Sequence, residues 1–162
     1  MHLIMGNLFS LFATMTDSFS STRKTTKSVL LVQCGSQVFY FISSLILGGY
    51  SACAQNAVSV LRNFAAIRNI NKKWVEWALV IMGVVLGIFF NNLGFMGLLP
   101  VIANLEYSLA IFRFKDNERA LKISFLFAVI LFIIFNFAIW NFVGVICNAI
   151  IAVTILIFLF KK

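Results

Sequence analysis

The basic residues of this chain lie in four clusters, and long apolar stretches separate each cluster from the next. All 13 Lys and Arg residues fall within positions 23–27, 62–73, 113–122 and 161–162. A helix needs about 20 residues to cross the hydrocarbon core, so each interval has room for two crossings and an uncharged turn. Basic residues beside membrane-spanning helices collect on the cytoplasmic side. The pattern therefore predicts an odd number of crossings, with the N-terminus outside and the C-terminus in the cytosol.

Composition agrees with a membrane protein, because 62% of the residues are hydrophobic and only 11% are charged. The net charge of +8 does not indicate a nucleic-acid partner, since the cations lie at the ends of apolar stretches, where anionic lipid attracts them. The lipid bilayer is the expected partner. The lone histidine, His2, and three cysteines without metal-ligand spacing predict no metal, no cofactor and no enzymatic activity.

Seven apolar segments have lengths suited to membrane helices. They are residues 3–19, 29–47, 51–70, 74–90, 93–112, 123–138 and 141–160. Because they leave almost no loops, we predict a single all-α integral membrane domain over residues 1–162. Within it, residues 3–70 form a first triple-helix bundle, 74–90 a linker helix and 93–160 a second triple-helix bundle.

An internal repeat becomes visible when the sequence is shifted by about 92 positions. The shift places Asn56-Ala57-Val58 on Asn148-Ala149-Ile150, and the uncharged turn 48–51 on the turn 140–143. The two triplets have the same orientation, since three helices and one linker return the chain to its starting side. We therefore predict a parallel 3+1+3 duplication whose two bundles enclose a central seam.

Five polar residues in the third and seventh segments are candidate ligands for a solute. Asn56 and Asn148 occupy equivalent positions of the two halves, so a pseudo-twofold axis would place their amides across the seam. Amides donate and accept hydrogen bonds without charge, which suits a neutral polar solute. Gln55, Ser59 and Asn63 lie on or near the same helix face as Asn56. Hydrogen bonding between helices is the alternative explanation for each Asn alone.

Two charged residues and the single proline mark further candidate positions. Arg62 and Glu106 lie at similar depths in the third and fifth segments. An intramembrane charge is costly, so one prediction is an Arg62–Glu106 ion pair that acts as a gate or a structural clamp. The alternative is that Arg62 extends to the cytosol with Asp17 or Glu76 as its partner. Pro100 removes one helical hydrogen bond in the fifth segment, and it is either a hinge or a static kink.

Three stretches place polar residues in otherwise apolar helices: QNAVSVLRN at 55–63, GLLPVI at 97–102 and AIFR at 110–113. In these stretches the chain resembles the bacterial inner-membrane YgjV family. The resemblance implies a multi-pass protein of the bacterial plasma (inner) membrane. In architecture, the predicted 3+1+3 arrangement is similar to the SWEET sugar facilitators and the related PnuC vitamin transporters.

The similarity to SWEETs also concerns individual residues. SWEETs carry an Asn beside the substrate on the third and on the seventh helix, which implies that role for Asn56 and Asn148. They also use prolines on four helices to open and close, whereas this chain has only Pro100. A hinge set like that of the SWEETs is therefore not expected here.

These observations favour a small facilitator that moves a neutral polar metabolite, sugar-like or vitamin-like, by alternating access between two bundles. The alternative is a non-transporting accessory or assembly partner within the bilayer, and a homo-oligomer is compatible with either function. A retinal protein is excluded, because the seventh segment contains no lysine before the terminal Lys161 and Lys162. The sequence contains no Walker motif for self-contained ATP-driven pumping.

Overall fold

The computed structural model describes residues 1–20, 23, 26–68, 70, 72–114 and 117–160, without the side chains of 20, 26, 29, 111–113 and 118. Within these residues the chain forms seven α-helices and no strand. They are α1 (His2–Ser20), α2 (Thr26–Ile46), α3 (Tyr50–Ile67), α4 (Lys73–Phe89), α5 (Phe95–Phe114), α6 (Glu118–Ala138) and α7 (Phe142–Phe160). The predicted all-α fold is thereby confirmed for this part of the chain. Four residues of the basic clusters and one side chain lie outside the described residues: Lys24, Lys115, Lys161, Lys162 and the side chain of Arg113.

Two helices have by themselves the length and hydropathy of a membrane crossing. They are Arg119–Ala138 in α6, with a mean hydropathy of 2.4, and Phe142–Phe160 in α7, with 2.8. Shorter apolar helices cover Leu30–Ile46 and Phe95–Ala110. The other three helices, α1, α3 and α4, do not reach this length and hydropathy by themselves. In α4 the limit is length, since the helix has 17 residues. The fold therefore fits a membrane protein, whereas the seven crossings and their orientation stay predictions.

The outward surface of α7 consists of large apolar side chains. Ile146, Ile150 and Ile157 are each more than half exposed. Their spacing of four and seven residues places them on one face of the helix. A soluble protein rarely exposes such a continuous apolar stripe, whereas lipid tails cover it without cost.

Each helix packs against its neighbours in the chain, and two further contacts connect α3 with α5 and α1 with α7. Six helices therefore form a closed ring in the order α1, α2, α3, α5, α6, α7. The remaining helix, α4, contacts only α3 and α5 among the described elements, so it lies beside the ring. The ring has two seams between the α1–α3 triplet and the α5–α7 triplet, which we call the α1–α7 seam and the α3–α5 seam.

The α2–α3 and α6–α7 turns have the same backbone hydrogen bonds at positions 92 residues apart. The donor and acceptor pairs are Gly48 to Leu45 and Gly49 to Ser44 in the first turn, and Trp140 to Phe137 and Asn141 to Asn136 in the second. The two turns also share a left-handed residue, Gly48 with φ of 76° and Trp140 with φ of 60°. Glycine adopts this conformation without a steric cost, whereas Trp140 is strained there.

Apolar side chains fill the ring at the end that carries these two turns. Ala52, Leu99, Phe135 and Ile139 form a buried cluster from α3, α5 and the end of α6. Phe135 is only 1% exposed. A Cβ atom at Gly49 would lie 2.9 Å from Cζ of Phe135, so a side chain there would collide with the phenyl group of Phe135. This end of the ring, which the charge pattern assigns to the outside, is therefore closed.

Candidate functional site

A cavity of about 160 Å³ lies between α3, α4 and α5. It extends from the middle of these helices to the connection between α3 and α4. Apolar side chains, mostly Val, Leu and Ala, form most of its walls. Six residues give it polar or charged groups: Gln55, Ser59, Arg62, Glu76, Asn104 and Ser108. Pockets that bind small molecules typically combine such apolar walls with a few polar groups.

The floor of the cavity is a chain of hydrogen bonds with a fixed direction. Gln55 is 4% exposed, and its Nε2 donates to the backbone oxygen of Gly83 at 2.8 Å. That bond turns Oε1 of Gln55 towards α5, where it accepts a hydrogen bond from Nδ2 of Asn104 at 3.1 Å. Because a carbonyl oxygen can only accept, the Gly83 oxygen must face the N–H end of the Gln55 amide. The oxygen of Gln55 then faces the N–H end of the Asn104 amide. Asn104 is therefore left with its oxygen and one N–H for a further partner.

Two glycines of α4 make this approach possible. A Cβ atom at Gly83 would lie 3.4 Å from Oε1 of Gln55, and one at Gly87 would lie 2.5 Å from its Nε2. The Gly87 Cβ would also lie 2.5 Å from Cγ2 of Val101 on α5. Glycines four residues apart let helix backbones approach closely in membranes. The Gly83–Gly87 pair thus holds α4 against both α3 and α5.

Two serine hydroxyls lie one helical turn beyond the floor. Ser59 follows Gln55 on α3, and Ser108 follows Asn104 on α5, each by four residues. Ser59 is buried, and neither hydroxyl forms a hydrogen bond with another described residue. Both hydroxyls line the cavity, so a polar molecule bound there could form hydrogen bonds with them.

Arg62 on α3 and Glu76 in the first turn of α4 also line the cavity. They lie towards the α3–α4 connection, and no ion pair joins them to each other or to other described residues. The alternative prediction was that Arg62 extends to the cytosol with Asp17 or Glu76 as its partner, and the cytosolic position stays a prediction. Arg62 and Glu76 do not form the ion pair that this alternative allowed.

The predicted Arg62–Glu106 ion pair is absent, although both residues belong to the described part of the chain. Oε2 of Glu106 instead accepts a hydrogen bond from the hydroxyl of Ser124 on α6 at 2.9 Å. A similar bond connects α2 with α1, where the hydroxyl of Ser36 donates to Oδ1 of Asp17 at 3.1 Å. A carboxylate on the first helix of each triplet is thus bonded to a serine of the second helix.

The structure does not bring Asn56 and Asn148 together. They lie on α3 and α7, which make no contact within the described residues, and both side chains are partly exposed. Neither they nor the buried Asn63 line the cavity. Pro100 is fully buried in α5, next to the lining residue Val101. Of the predicted site residues, only Gln55, Ser59 and Arg62 line the cavity, and their roles stay predictions.

An asparagine bridges the α1–α7 seam at the closed end of the ring. Nδ2 of Asn7 on α1 donates to the backbone oxygen of Trp140 at 3.0 Å. Its Oδ1 accepts from the backbone N–H of Val143 at 3.0 Å. One side chain thereby binds both the α6–α7 turn and the first turn of α7.

A second asparagine bridges the α3–α5 seam in the same way. Nδ2 of Asn92, just before α5, donates to the backbone oxygen of Gly48 at 2.8 Å. Its Oδ1 accepts from the backbone N–H of Tyr50 at 3.4 Å. In each seam, then, an amide near the start of one triplet binds the turn that precedes the last helix of the other triplet.

Sequence reasoning missed two of the six polar or charged lining residues, Asn104 and Ser108. Asn104 and Ser108 had a usable signal, since both are polar residues within an apolar helix. The Gly83–Gly87 spacing is also a recognisable helix-packing motif. The two seam asparagines had no such signal, because they bind backbone atoms that any sequence provides.

A family model described as a bacterial inner membrane protein, YgjV, matches residues 4–162. The comparison with curated proteins found no match, and the comparison with solved structures found none either. The family match spans nearly the whole chain and agrees with the resemblance in the three polar stretches. This protein of the bacterial inner membrane therefore belongs to the YgjV family.

Proposed function

We propose that this chain is a small membrane transporter for a net-neutral polar metabolite. The observation that carries the proposal is the cavity between α3, α4 and α5, with the Gln55–Asn104 amide pair at its floor. Polar groups at the depth of the hydrocarbon are costly, and membrane proteins typically keep them where a solute or water passes. A floor of amides and hydroxyls without fixed charge suits a solute without net charge.

The duplication is part of the same proposal. Helices α2 and α6 begin and end 92 residues apart, as do the starts of α3 and α7. The matched hydrogen bonds of the two turns and the matched bonds of Asn7 and Asn92 support a parallel 3+1+3 repeat. Seven crossings with the N-terminus outside complete the arrangement. The two triplets would then move relative to each other, as alternating access requires.

The size of the cavity limits the solute. Its volume of about 160 Å³ is similar to that of an engineered cavity of about 150 Å³ that binds one benzene molecule. A molecule of about one six-membered ring therefore fits without rearrangement. The closed end with the α2–α3 and α6–α7 turns and the polar groups near the α3–α4 connection favour loading from the cytoplasmic side in this conformation.

Uptake into liposomes that contain the purified protein tests the proposal. The probes are labelled D-ribose, D-glucose, nicotinamide and L-threonine, each a small solute without net charge. The double variant Gln55→Leu, Asn104→Leu keeps the shape of the floor and removes its hydrogen bonds. We expect its flux to fall by roughly tenfold or more, because each lost hydrogen bond to a solute costs about 1 kcal/mol or more.

The matched control is Asn56→Leu, Asn148→Leu, which also removes two amides but leaves the cavity intact. We expect this control to transport at the rate of the wild type. If flux were lost only in the control, the solute would instead pass between the two triplets, beside Asn56 and Asn148. If the wild type moved no solute and purified with one stoichiometric partner, the accessory function would replace transport.

A further inference from the structure

Two side chains of opposite charge line the cavity. Arg62 and Glu76 both line it, on different helices, and neither forms an ion pair with any described residue. Charges at the edge of the hydrocarbon usually have a counter-charge or open water. Arg62 is exposed and Glu76 is partly exposed, so a ligand in the cavity can reach both charges. A ligand that carries both signs supplies a counter-charge to each of them.

A zwitterion has the required pair of charges. A guanidinium binds a carboxylate through two parallel hydrogen bonds, so Arg62 suits the carboxylate of a ligand. The carboxylate of Glu76 suits an ammonium group in the same way. A sugar would leave both side chains without a counter-charge, and an anion or a cation would satisfy only one.

The floor determines what the rest of the ligand contains. Asn104 has an oxygen and an N–H left over from its bond to Gln55, and the Ser59 and Ser108 hydroxyls have no partner among the described residues. These groups donate and accept hydrogen bonds without charge. They match a hydroxyl or amide side chain, and a cavity of about 160 Å³ excludes a large one.

We propose that this cavity binds a small zwitterionic α-amino acid with a polar, uncharged side chain. Its carboxylate contacts Arg62, its ammonium contacts Glu76, and its side chain contacts Asn104 and the two serines. This inference names the substrate class of the proposed transporter and rests on that function only for the use of the cavity as a solute site.

Thermal unfolding of the purified protein in detergent, with added L-threonine or L-asparagine, tests the binding. Three comparison solutes each lack part of the zwitterion: L-threoninol has no carboxylate, 2-hydroxybutyrate has no ammonium, and D-glucose has no charge. We expect the amino acids to raise the unfolding temperature progressively as their concentration rises above the Kd, and the comparison solutes to leave it unchanged.

The variants Arg62→Gln and Glu76→Gln should each weaken L-threonine binding by roughly tenfold or more, because each loses a charge-assisted hydrogen bond. Arg62→Lys keeps the charge but loses the two-bond geometry, so it should bind with intermediate affinity. Arg68→Gln and Glu106→Gln remove the same charges outside the cavity and should bind like the wild type. The unfolding temperature without ligand shows whether each variant is folded.

Two results would overturn the inference: no stabilisation by any amino acid, or equal stabilisation by D-glucose in the wild type and both Gln variants. The second result would leave transport of a neutral solute intact. Amino-acid binding without flux in liposomes would support the inference and remove the proposed function. The two proposals can therefore fail separately.

Discussion

At the scale of single residues, the packing of α4 depends on atoms that glycine lacks. Gly87 faces both Gln55 and Val101, so a Cβ atom there would lie 2.5 Å from each. Gly83, one turn earlier, has its nearest neighbour at 3.4 Å, which is ordinary contact. An alanine at either glycine has the same effect on helix propensity, but only at Gly87 does it disturb close packing. Comparing the two variants therefore separates these effects.

We predict that Gly87→Ala destabilises the protein by about 1–3 kcal/mol, because Gln55 and Val101 must both move. Gly83→Ala should change stability by less than about 1 kcal/mol, since only minor adjustment is needed. Unfolding in mixed detergent with increasing SDS measures both variants. Equal effects of the two substitutions would contradict the close approach at Gly87.

The sequence identified part of the candidate site at this scale. Arg62 was predicted because a charge within the membrane is costly. Gln55 and Ser59 were predicted because they lie on or near the helix face of Asn56. Asn104 is likewise a polar residue within the apolar helix α5, two positions before the charged Glu106. The partner of Glu106 could not be predicted, since helix register against α6 decides whether Arg62 or Ser124 is nearer.

At the scale of helices and turns, the two seams depend on side chains that bind the backbone. Asn7 and Asn92 each donate to a turn carbonyl and accept from a helix N–H. The helices themselves followed from the length of the apolar segments, and all seven were predicted. Their pairing around the ring did not follow, because apolar surfaces match many partners and the specific contacts involve backbone atoms.

Substituting the seam asparagines should weaken the contact between the triplets. We predict that Asn7→Leu and Asn92→Leu each destabilise the protein by about 1–3 kcal/mol, because each variant leaves backbone groups without a partner. Asn148→Leu is the control, since Asn148 forms no hydrogen bond with another described residue. SDS unfolding of the three variants provides the comparison. If Asn148→Leu were as harmful as the others, general loss of polarity would explain the effect.

At the scale of the whole molecule, the arrangement in the membrane depends on the distribution of the cations. Lys27 and Arg119 lie at the starts of α2 and α6, whereas Tyr50 and Trp140 lie at the opposite ends of the same hairpins. Basic residues beside membrane helices collect on the cytoplasmic side, so we expect Lys27 and Arg119 to face the cytosol. The hydropathy of α6 and α7 supports membrane insertion but does not determine which way the helices face.

Labelling of single cysteines in cells tests the orientation. In a background with Cys34, Cys53 and Cys147 replaced by Ala, Tyr50→Cys and Trp140→Cys should react with a membrane-impermeant maleimide added outside. Lys27→Cys and Arg119→Cys should react only after the membrane is permeabilised. Labelling of Lys27→Cys in intact cells would contradict the seven-helix orientation with the N-terminus outside.

The position of α4 makes the two seams unequal. Through Gln55 and Asn104, the α3–α5 seam has side-chain bonds that include α4, and the chain itself connects its two sides. The α1–α7 seam has no helix beside it among the described elements and is bridged by Asn7. Separation of the triplets should therefore begin at α1 and α7, with the α3–α5 seam as its hinge. Spin labels across the α1–α7 seam would then report a wider range of distances than labels across the other seam.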